Sequence, residues 1–297
     1  VNRDELSRYS RNILLSEVGR SGQEKLNRSR VLVVGAGGLG SPLLLYLTAA
    51  GVGHIACFES DRLDLTNLQR QILYSTDGVG QSKADLAESR LRALNPEIEL
   101  NFFRTRLVPA TAREMVRGYD LVLDGSDNFP TRFLVNDVCL YHGIPLISGG
   151  ILRFYGMVMG IDPGRTACYR CIFEHLPEPG SVPSCSAAGV LGAIAGVIGS
   201  LMAAEAIKFL LGFQKQRDKK SIMGRMLRLD LLTLEQRLTD LPENNECIYC
   251  RANKTGKPVF QIDDPDYYEM GCAAPFSLET LPPASLLHDE SFHEKYS

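Results

Sequence analysis

Residues 30–53, RVLVVGAGGLGSPLLLYLTAAGVG, constrain the fold more than any other stretch of the chain. A β-branched apolar run at 31–34 enters a glycine turn, GAGGLG at 35–40, and then an apolar helix at 42–50. Strand, tight turn and helix in that order are the context in which G-x-G-x-x-G signals a nucleotide-binding unit. Gly35 permits the turn, Gly37 lets the backbone approach a phosphate, and Gly40 lets the helix pack closely on the strand. The helix N-terminus offers free N–H groups and the positive end of its dipole to an anion. A nucleotide with its phosphates over residues 36–41 is therefore expected, although such turns also occur without ligands.

The rest of the chain alternates in the same manner and predicts an α/β fold, a doubly wound Rossmann-like and mostly parallel sheet. Residues 4–28 read as one helix, with Leu6, Tyr9, Ile13 and Leu14 at helical spacing. Arg8 and Arg11 on it read as a solvated basic edge. A second strand, 54–58, ends in Glu59-Ser60-Asp61, and an acid about twenty residues past the glycine turn commonly holds ribose hydroxyls. To this point a NAD-dependent dehydrogenase fits equally well. LDLTNLQRQ at 63–71 then brings Asn67 and Arg70 near the same site, and GVGQSK at 78–83 opens a helix that runs to Leu94. Arg70 and Lys83 place two cations where a triphosphate would lie, which suits phosphoryl or nucleotidyl transfer, although each alone is more commonly a surface residue.

A strand at 98–103, a helix at 110–116 and a strand at 119–123 follow, the last ending in Asp124-Gly-Ser-Asp127-Asn128. Ligands of open α/β sheets bind at the carboxyl ends of strands. Asp127 is placed there to hold Mg2+, which takes oxygen ligands and bridges phosphates. A helix N-cap role suits Asp127 or Asn128 equally. A helix at 131–142 and a strand at 145–148 complete the sheet, and residues 223–238 read as paired antiparallel strands.

The net charge of −3 carries no basic bias towards nucleic acid. The opening VNRDELSRYSRN is polar, so the expectation is a cytoplasmic protein without a secretory leader. Residues 187–211 are apolar for the length of a bilayer, but Glu205 and Lys208 lie within the run at helix spacing, which favours a buried helix over a membrane span. Of eight cysteines, four form two C-x2-C pairs, Cys168/Cys171 and Cys247/Cys250. This is the spacing of a four-thiolate structural Zn2+ site stapling two distant parts of the chain, whereas a redox motif needs only one pair.

Taken in order, these motifs are specific. GAGGLGS, TNLQRQ at 66–71, GQSK at 80–83, LDGSDNF at 123–129, PLISGG at 145–150, the two C-x2-C pairs and GVIGSLMAAEAIK at 196–208 resemble the ThiF/MoeB/HesA family, bacterial relatives of ubiquitin-activating enzymes. The resemblance spans residues 4–251. It implies an adenylyltransferase that uses ATP and Mg2+ to activate the C-terminal glycine of a small ubiquitin-like protein, releasing pyrophosphate. It places Gly35, Gly37, Gly38 and Gly40 in the ATP loop, with Glu59, where relatives often have Asp, and Asp61 at the ribose. Asn67, Arg70 and Lys83 fall at the phosphates, with Gln71 and Asn128 among the nucleotide-binding residues, and Asp127 at magnesium. It implies a homodimer in which Arg11 reaches the partner's site, contrary to the solvated reading.

Residues 172–186 are polar and Pro-rich and read as a loop, a crossover segment by resemblance, bearing Cys185 where some members carry a reactive cysteine. A thiol role in sulfur transfer and an idle cysteine both remain open for Cys185. The expected organisation is a helical arm at 1–29, an adenylation domain with its zinc staple at 30–251, and a Pro- and acid-rich tail at 252–297, too short for the rhodanese domain that some relatives append. Cys272 in the tail reads as inert. The expected partner is a sulfur-carrier protein ending in Gly-Gly, with a sulfurtransferase or cysteine desulfurase supplying sulfur, and neither nucleic acid nor membrane. A short peptide substrate, a NAD-dependent oxidoreductase and a non-catalytic zinc-stapled binding module are the alternatives. The set of Arg11, Arg70, Lys83 and Asp127 argues against the last.

Overall fold

The computed structural model describes residues 7–176, 188–213, 221–241, 244, 247–250, 262, 267 and 268. Two helices open it, α1 (Ser10–Ile13) and α2 (Gly19–Arg28). The single helix expected over 4–28 is thus interrupted at Tyr9 and at 14–18, and Gly19 turns the chain at φ +56°, a conformation that breaks helical continuity. Residues 4–6 of that expectation lie outside the described residues.

The alternation then proceeds as β1 (Arg30–Val34), α3 (Gly40–Ala50), β2 (His54–Phe58), α4 (Lys83–Leu94), β3 (Glu99–Phe103), α5 (Pro109–Val116), β4 (Leu121–Asp124), α6 (Phe129–His142) and β5 (Leu146–Leu152). The chain continues through β6 (Tyr155–Ile161), the one-turn helix α7 (Tyr169–Ile172), α8 (Gly192–Leu211), β7 (Arg225–Asp230) and β8 (Gln236–Asp240). One eight-stranded sheet has the order β3-β2-β1-β4-β5-β6-β7-β8. The pairs among β1 to β5 are parallel, and those from β5 to β8 are antiparallel.

Strands β1, β2 and β4 are apolar almost throughout because both faces are covered. Their residues alternate between two cores. Val31, Val33, Ile55, Cys57, Leu121 and Leu123 pack with α3, α4 and α8, while Leu32, Val34, Ala56, Phe58 and Val122 pack with α5, α6 and α7. Burial pushes the Cys57 and Cys139 thiols up, leaving both as inert core residues.

The apolar run at 187–211 contributes α8, the one helix among the described residues long and apolar enough to cross a membrane. It packs on α3, β5 and β6 through Ile194, Ala195, Ile198, Gly199, Met202, Ala203 and Ala206. Its acid is satisfied within the fold: Glu205 pairs with Lys208 and accepts from the Ile222 amide at 2.9 Å.

Candidate active site and cysteine cluster

Parallel register brings three strand ends together. Val34 pairs with Phe58 on one side and Asp124 on the other, so the residues that follow, Gly35, Glu59 and Gly125, emerge side by side. Here the sheet order reverses between β1 and β4, the switch point at which such sheets bind ligands. Gly35 takes φ +89°, and a Cβ on Gly40 would lie 2.0 Å from the Gly35 carbonyl oxygen. Only glycine at both positions allows α3 to start directly against the turn. That helix has no side-chain cap at its N-terminus, but the Ser41 amide bonds the Gly37 carbonyl at 2.9 Å and Pro42 carries no N–H, so an anion would chiefly meet the amides of the turn that precedes it.

Glu59 is 8% exposed and braces the turn from below. Its carboxylate accepts from the Ala36 amide at 3.0 Å and from the Asp61 amide at 2.8 Å. Burial raises its pKa, partly offset by those amides and by the Lys83 charge. The Tyr74 hydroxyl holds the Ala36 carbonyl at 2.8 Å from the other side. Lys83, 4% exposed at the first turn of α4, points its ammonium at Asp61, 3.2 Å away. Ser82 caps that helix through the Asp85 amide at 3.3 Å.

Gly35, Gly37, Gly38, Glu59, Asp61, Arg70, Gln71, Lys83, Asp127 and Asn128 all line one cleft. Gln71 is 4% exposed and its buried Oε1 has no protein partner, the mark of a polar atom aimed at a ligand. Of the two acid-loop candidates for a helix cap, Asn128 takes the role, accepting from the Thr131 amide at 2.9 Å. Asp127 stays exposed at the carboxyl end of β4. Asp124, fully buried, holds the loop beneath it, accepting from the Ser126 amide at 3.0 Å and hydroxyl at 2.6 Å and from the Ser148 hydroxyl at 2.9 Å.

Of the residues named from the sequence, Gly40, Asn67 and Arg11 are not in the cleft lining, Gly40 because it starts α3 packed against the Gly35 carbonyl. The Asn67 carboxamide turns back to accept from the Asp64 amide at 3.1 Å, closing a capping box on a short 3-10 turn. Arg11 is exposed on α1 and does not line this chain's own cleft. Cys185 and Cys272 lie outside the described residues. Residues that line the cleft unforeseen include Thr105 and Arg106 beyond β3, and Arg132 in the first turns of α6. Their shared signal is position, since each follows the carboxyl end of a parallel strand.

The turn amides ahead of a helix, an orphaned buried amide oxygen, cations from Arg70, Lys83 and Arg132, and an exposed carboxylate form a donor set that fits a nucleoside triphosphate with its divalent cation.

The second centre lies in the other core. Cys168, Cys171, Cys247 and Cys250 gather their sulfurs within 4.8 Å of one another. Cys168 lies 3.7 Å from both Cys171 and Cys247, and Cys171 lies 3.3 Å from Cys250. Four sulfurs bound at about 2.3 Å to one tetrahedral ion would sit about 3.8 Å apart, so the cluster can hold a metal of that kind. Thiol donation from Cys168 pulls Cys247 down to about 7, and Cys171 is lowered by the same neighbour. Next to the cluster Arg170 and Asp137 form a buried bidentate pair at 2.8 and 2.7 Å. Tyr268 donates to Asp137 at 2.6 Å, and Arg170 donates to Tyr267 at 2.8 Å. The tail expected to begin at 252 therefore packs into the core at Tyr267 and Tyr268, and Ile262 is 2% exposed beside them.

The fold and cleft define a doubly wound α/β protein with a glycine turn at its switch point and a four-thiol cluster. The ThiF family description matches residues 9–251, and the chain belongs to that family. It is 47% identical over 266 residues to the sulfur carrier protein adenylyltransferase of Thermus thermophilus, spanning 88% of this chain and 96% of that one. It is 42% identical over 269 residues to the SAMP-activating enzyme E1 of Haloferax volcanii, spanning 91% and 96%. With the probable adenylyltransferase/sulfurtransferase MoeZ of Mycobacterium tuberculosis it shares 42% identity over 241 residues, 80% of this chain and 60% of that one. Among solved structures, Escherichia coli MccB with MccA-N7isoASN superposes with a TM-score of 0.72 at 24% identity, covering 82% of this chain and 74% of that one. At that identity the likeness shows the fold alone.

Proposed function

We propose that this chain catalyses ATP-dependent adenylation of the C-terminal glycine of a ubiquitin-like sulfur-carrier protein, preparing it for thiocarboxylate formation. The observation that carries the proposal is the convergence of the glycine turn, Arg70, Lys83 and Asp127 on one cleft at the switch point. The names of the Thermus and Haloferax relatives, which match along nearly their whole length, support the choice of substrate.

The attacking group is a carboxylate, already ionised at neutral pH, so no general base is needed. The carrier's terminal carboxylate oxygen bonds to the α-phosphorus, and the bond from that phosphorus to the bridging oxygen breaks. The electron pair leaves with pyrophosphate. The obstacle is the approach of one anion to another. Amides of the glycine turn orient the phosphates, and Arg70 and Lys83 neutralise them. Asp127 would hold Mg2+, which when bound supplies further charge neutralisation across the phosphates. Gln71 is aimed into the cleft and Glu59 keeps the turn rigid.

In this reading the enzyme is a cytoplasmic homodimer, Arg11 crosses into the partner's cleft, and the cysteine cluster holds structural zinc. Sulfur then comes from a sulfurtransferase or cysteine desulfurase, with Cys185 a candidate thiol. The test is exchange of labelled pyrophosphate into ATP with candidate carriers. Exchange that requires a carrier ending in Gly-Gly supports the proposal. Exchange driven by a short peptide moves the substrate class to peptides, and nicotinamide-dependent turnover without exchange overturns the proposal.

A further inference from the structure

The glycine turn is gripped at Ala36 by two side chains. The Ala36 amide donates to Glu59 at 3.0 Å, and the Ala36 carbonyl accepts from the Tyr74 hydroxyl at 2.8 Å. The Ser41 hydroxyl reaches the same oxygen only at 3.4 Å, a longer and weaker contact. Tyr74 is 9% exposed, packs in the core with Leu63 and Leu73, and does not line the cleft. The peptide that joins Ala36 to Gly37 is planar and trans, so the Gly37 N–H points opposite to the carbonyl that Tyr74 holds. Gly37 does line the cleft. Its amide and those of Gly38 and Leu39 have no acceptor among the described residues, whereas the Ala36 amide is spent on Glu59.

The same tyrosine ties a second segment to the turn. Its amide donates to the Gln71 carbonyl at 3.2 Å, next to the two side chains, Arg70 and Gln71, that this segment sends into the cleft. A Cβ on Gly37 would lie 3.6 Å from the Gln71 carboxamide nitrogen, and one on Gly38 would lie 3.6 Å from the Arg70 side chain. We propose that Tyr74 is a positioning residue for phosphate binding: its hydroxyl, by holding the Ala36 carbonyl, aims the Gly37 N–H into the cleft and docks the Arg70–Gln71 segment on the glycine turn. The inference rests on the reading of this cleft as an ATP site. It adds a buried hydroxyl, outside the cleft lining, that governs the phosphate end of the site and not the nucleoside end.

The experiment is calorimetric titration of the full chain with adenosine, which carries no phosphate, and with a non-hydrolysable ATP analogue in the presence of Mg2+. Tyr74→Phe deletes the hydroxyl and keeps the ring. A hydrogen bond of ordinary strength corresponds to about a fivefold effect. The variant is expected to bind the analogue about fivefold more weakly and adenosine as the wild type does. Replacing Tyr74 by para-aminophenylalanine, which restores a donor at the same place, is expected to recover analogue affinity. In the isotope-labelled wild type, the Gly37 amide resonance should move with the analogue and stay fixed with adenosine. Wild-type analogue affinity in Tyr74→Phe would overturn the inference. So would an equal loss for adenosine and analogue, the behaviour of a merely structural tyrosine, or a Gly37 amide that the analogue leaves unmoved. A wild type that binds the analogue no more tightly than adenosine would instead overturn the reading of the cleft as an ATP site, and this inference with it.

Discussion

Lys83 carries an unusual burden for a lysine. Its side chain is 5% exposed and its one carboxylate partner, Asp61, is 55% exposed. Removing the ammonium therefore leaves Asp61 in contact with water, so Lys83→Met is expected to fold. Pyrophosphate exchange in that variant should drop by about 100-fold or more, the usual effect of losing one preorganised charge at a transferring phosphoryl group. Gly40 sets the opposite expectation. A methyl group there would overlap the Gly35 carbonyl, so Gly40→Ala should lose about 3 kcal/mol in denaturant unfolding, and the nucleotide cleft with it. The lysine and both glycines were legible from the sequence because each occupies a fixed offset from a strand end. Arg132 and Arg106 were not. Nothing local separates them from surface arginines until the sheet register shows which loops share an edge.

A third residue, Arg104, gives a pH signature. It bonds Asp85 at 2.7 Å and Glu88 at 3.0 Å. The bond from Arg104 holds Asp85 below its ordinary 3.8. Burial pushes Glu88 up from 4.5, but the bonds from Arg92 and Arg104 outweigh it, so Glu88 also ends lowered. Carboxylates depressed in the folded state stabilise it above their unfolded values and lose that contribution as pH falls through the folded ones. The stability gap between wild type and Arg104→Ala should therefore be constant near neutrality and shrink once pH drops below 4.5 and then 3.8, as read by thermal melts across pH.

At the scale of elements, the parallel half of the sheet was readable because β1, β2 and β4 are nearly continuous apolar runs. Strand β6 was not, since its sequence YGMVMGI carries two glycines, which strands usually avoid. Packing explains them: a Cβ on Gly156 would strike Ile198 on α8 at 2.3 Å, and one on Gly160 would strike Ile222 at 2.7 Å. The same packing explains α8, whose membrane-like composition suits a helix laid against a sheet. The docking of Tyr267 and Tyr268 was illegible because it depends on a buried pair assembled from α6 and α7. Arg170→Met would leave Asp137 buried without its cation and should cost about 3–5 kcal/mol. Tyr268→Phe removes one hydrogen bond to the same carboxylate and should cost about 1–3 kcal/mol. Urea unfolding of the two variants checks the order, and an equal or larger loss in Tyr268→Phe would contradict it.

At the scale of the whole molecule, two centres stand apart, one at the strand ends and one in the core on a single face of the sheet. The cleft at the carboxyl ends of β1, β2 and β4 gathers the groups proposed to bind phosphate, and the four-cysteine cluster brings residues 168–171 to 247–250. If Arg11 completes the cleft of a second subunit, mixing Arg11→Ala with Lys83→Met should restore pyrophosphate exchange that neither variant shows alone. Each mixed dimer then contains one intact cleft. Exchange that stays absent after subunits are shown to mix would contradict a shared site.

The central claim is that this cleft transfers AMP to a protein's terminal carboxylate. Mass spectrometry of a Gly-Gly-terminated carrier after incubation with the enzyme, ATP and Mg2+, with hydroxylamine added as a trap, reads it directly. The account predicts a hydroxamate at the terminal glycine, with AMP and pyrophosphate released in equal amounts and none formed when that glycine is deleted. ADP and phosphate as the products, or a trapped carboxyl elsewhere on the carrier, would contradict it.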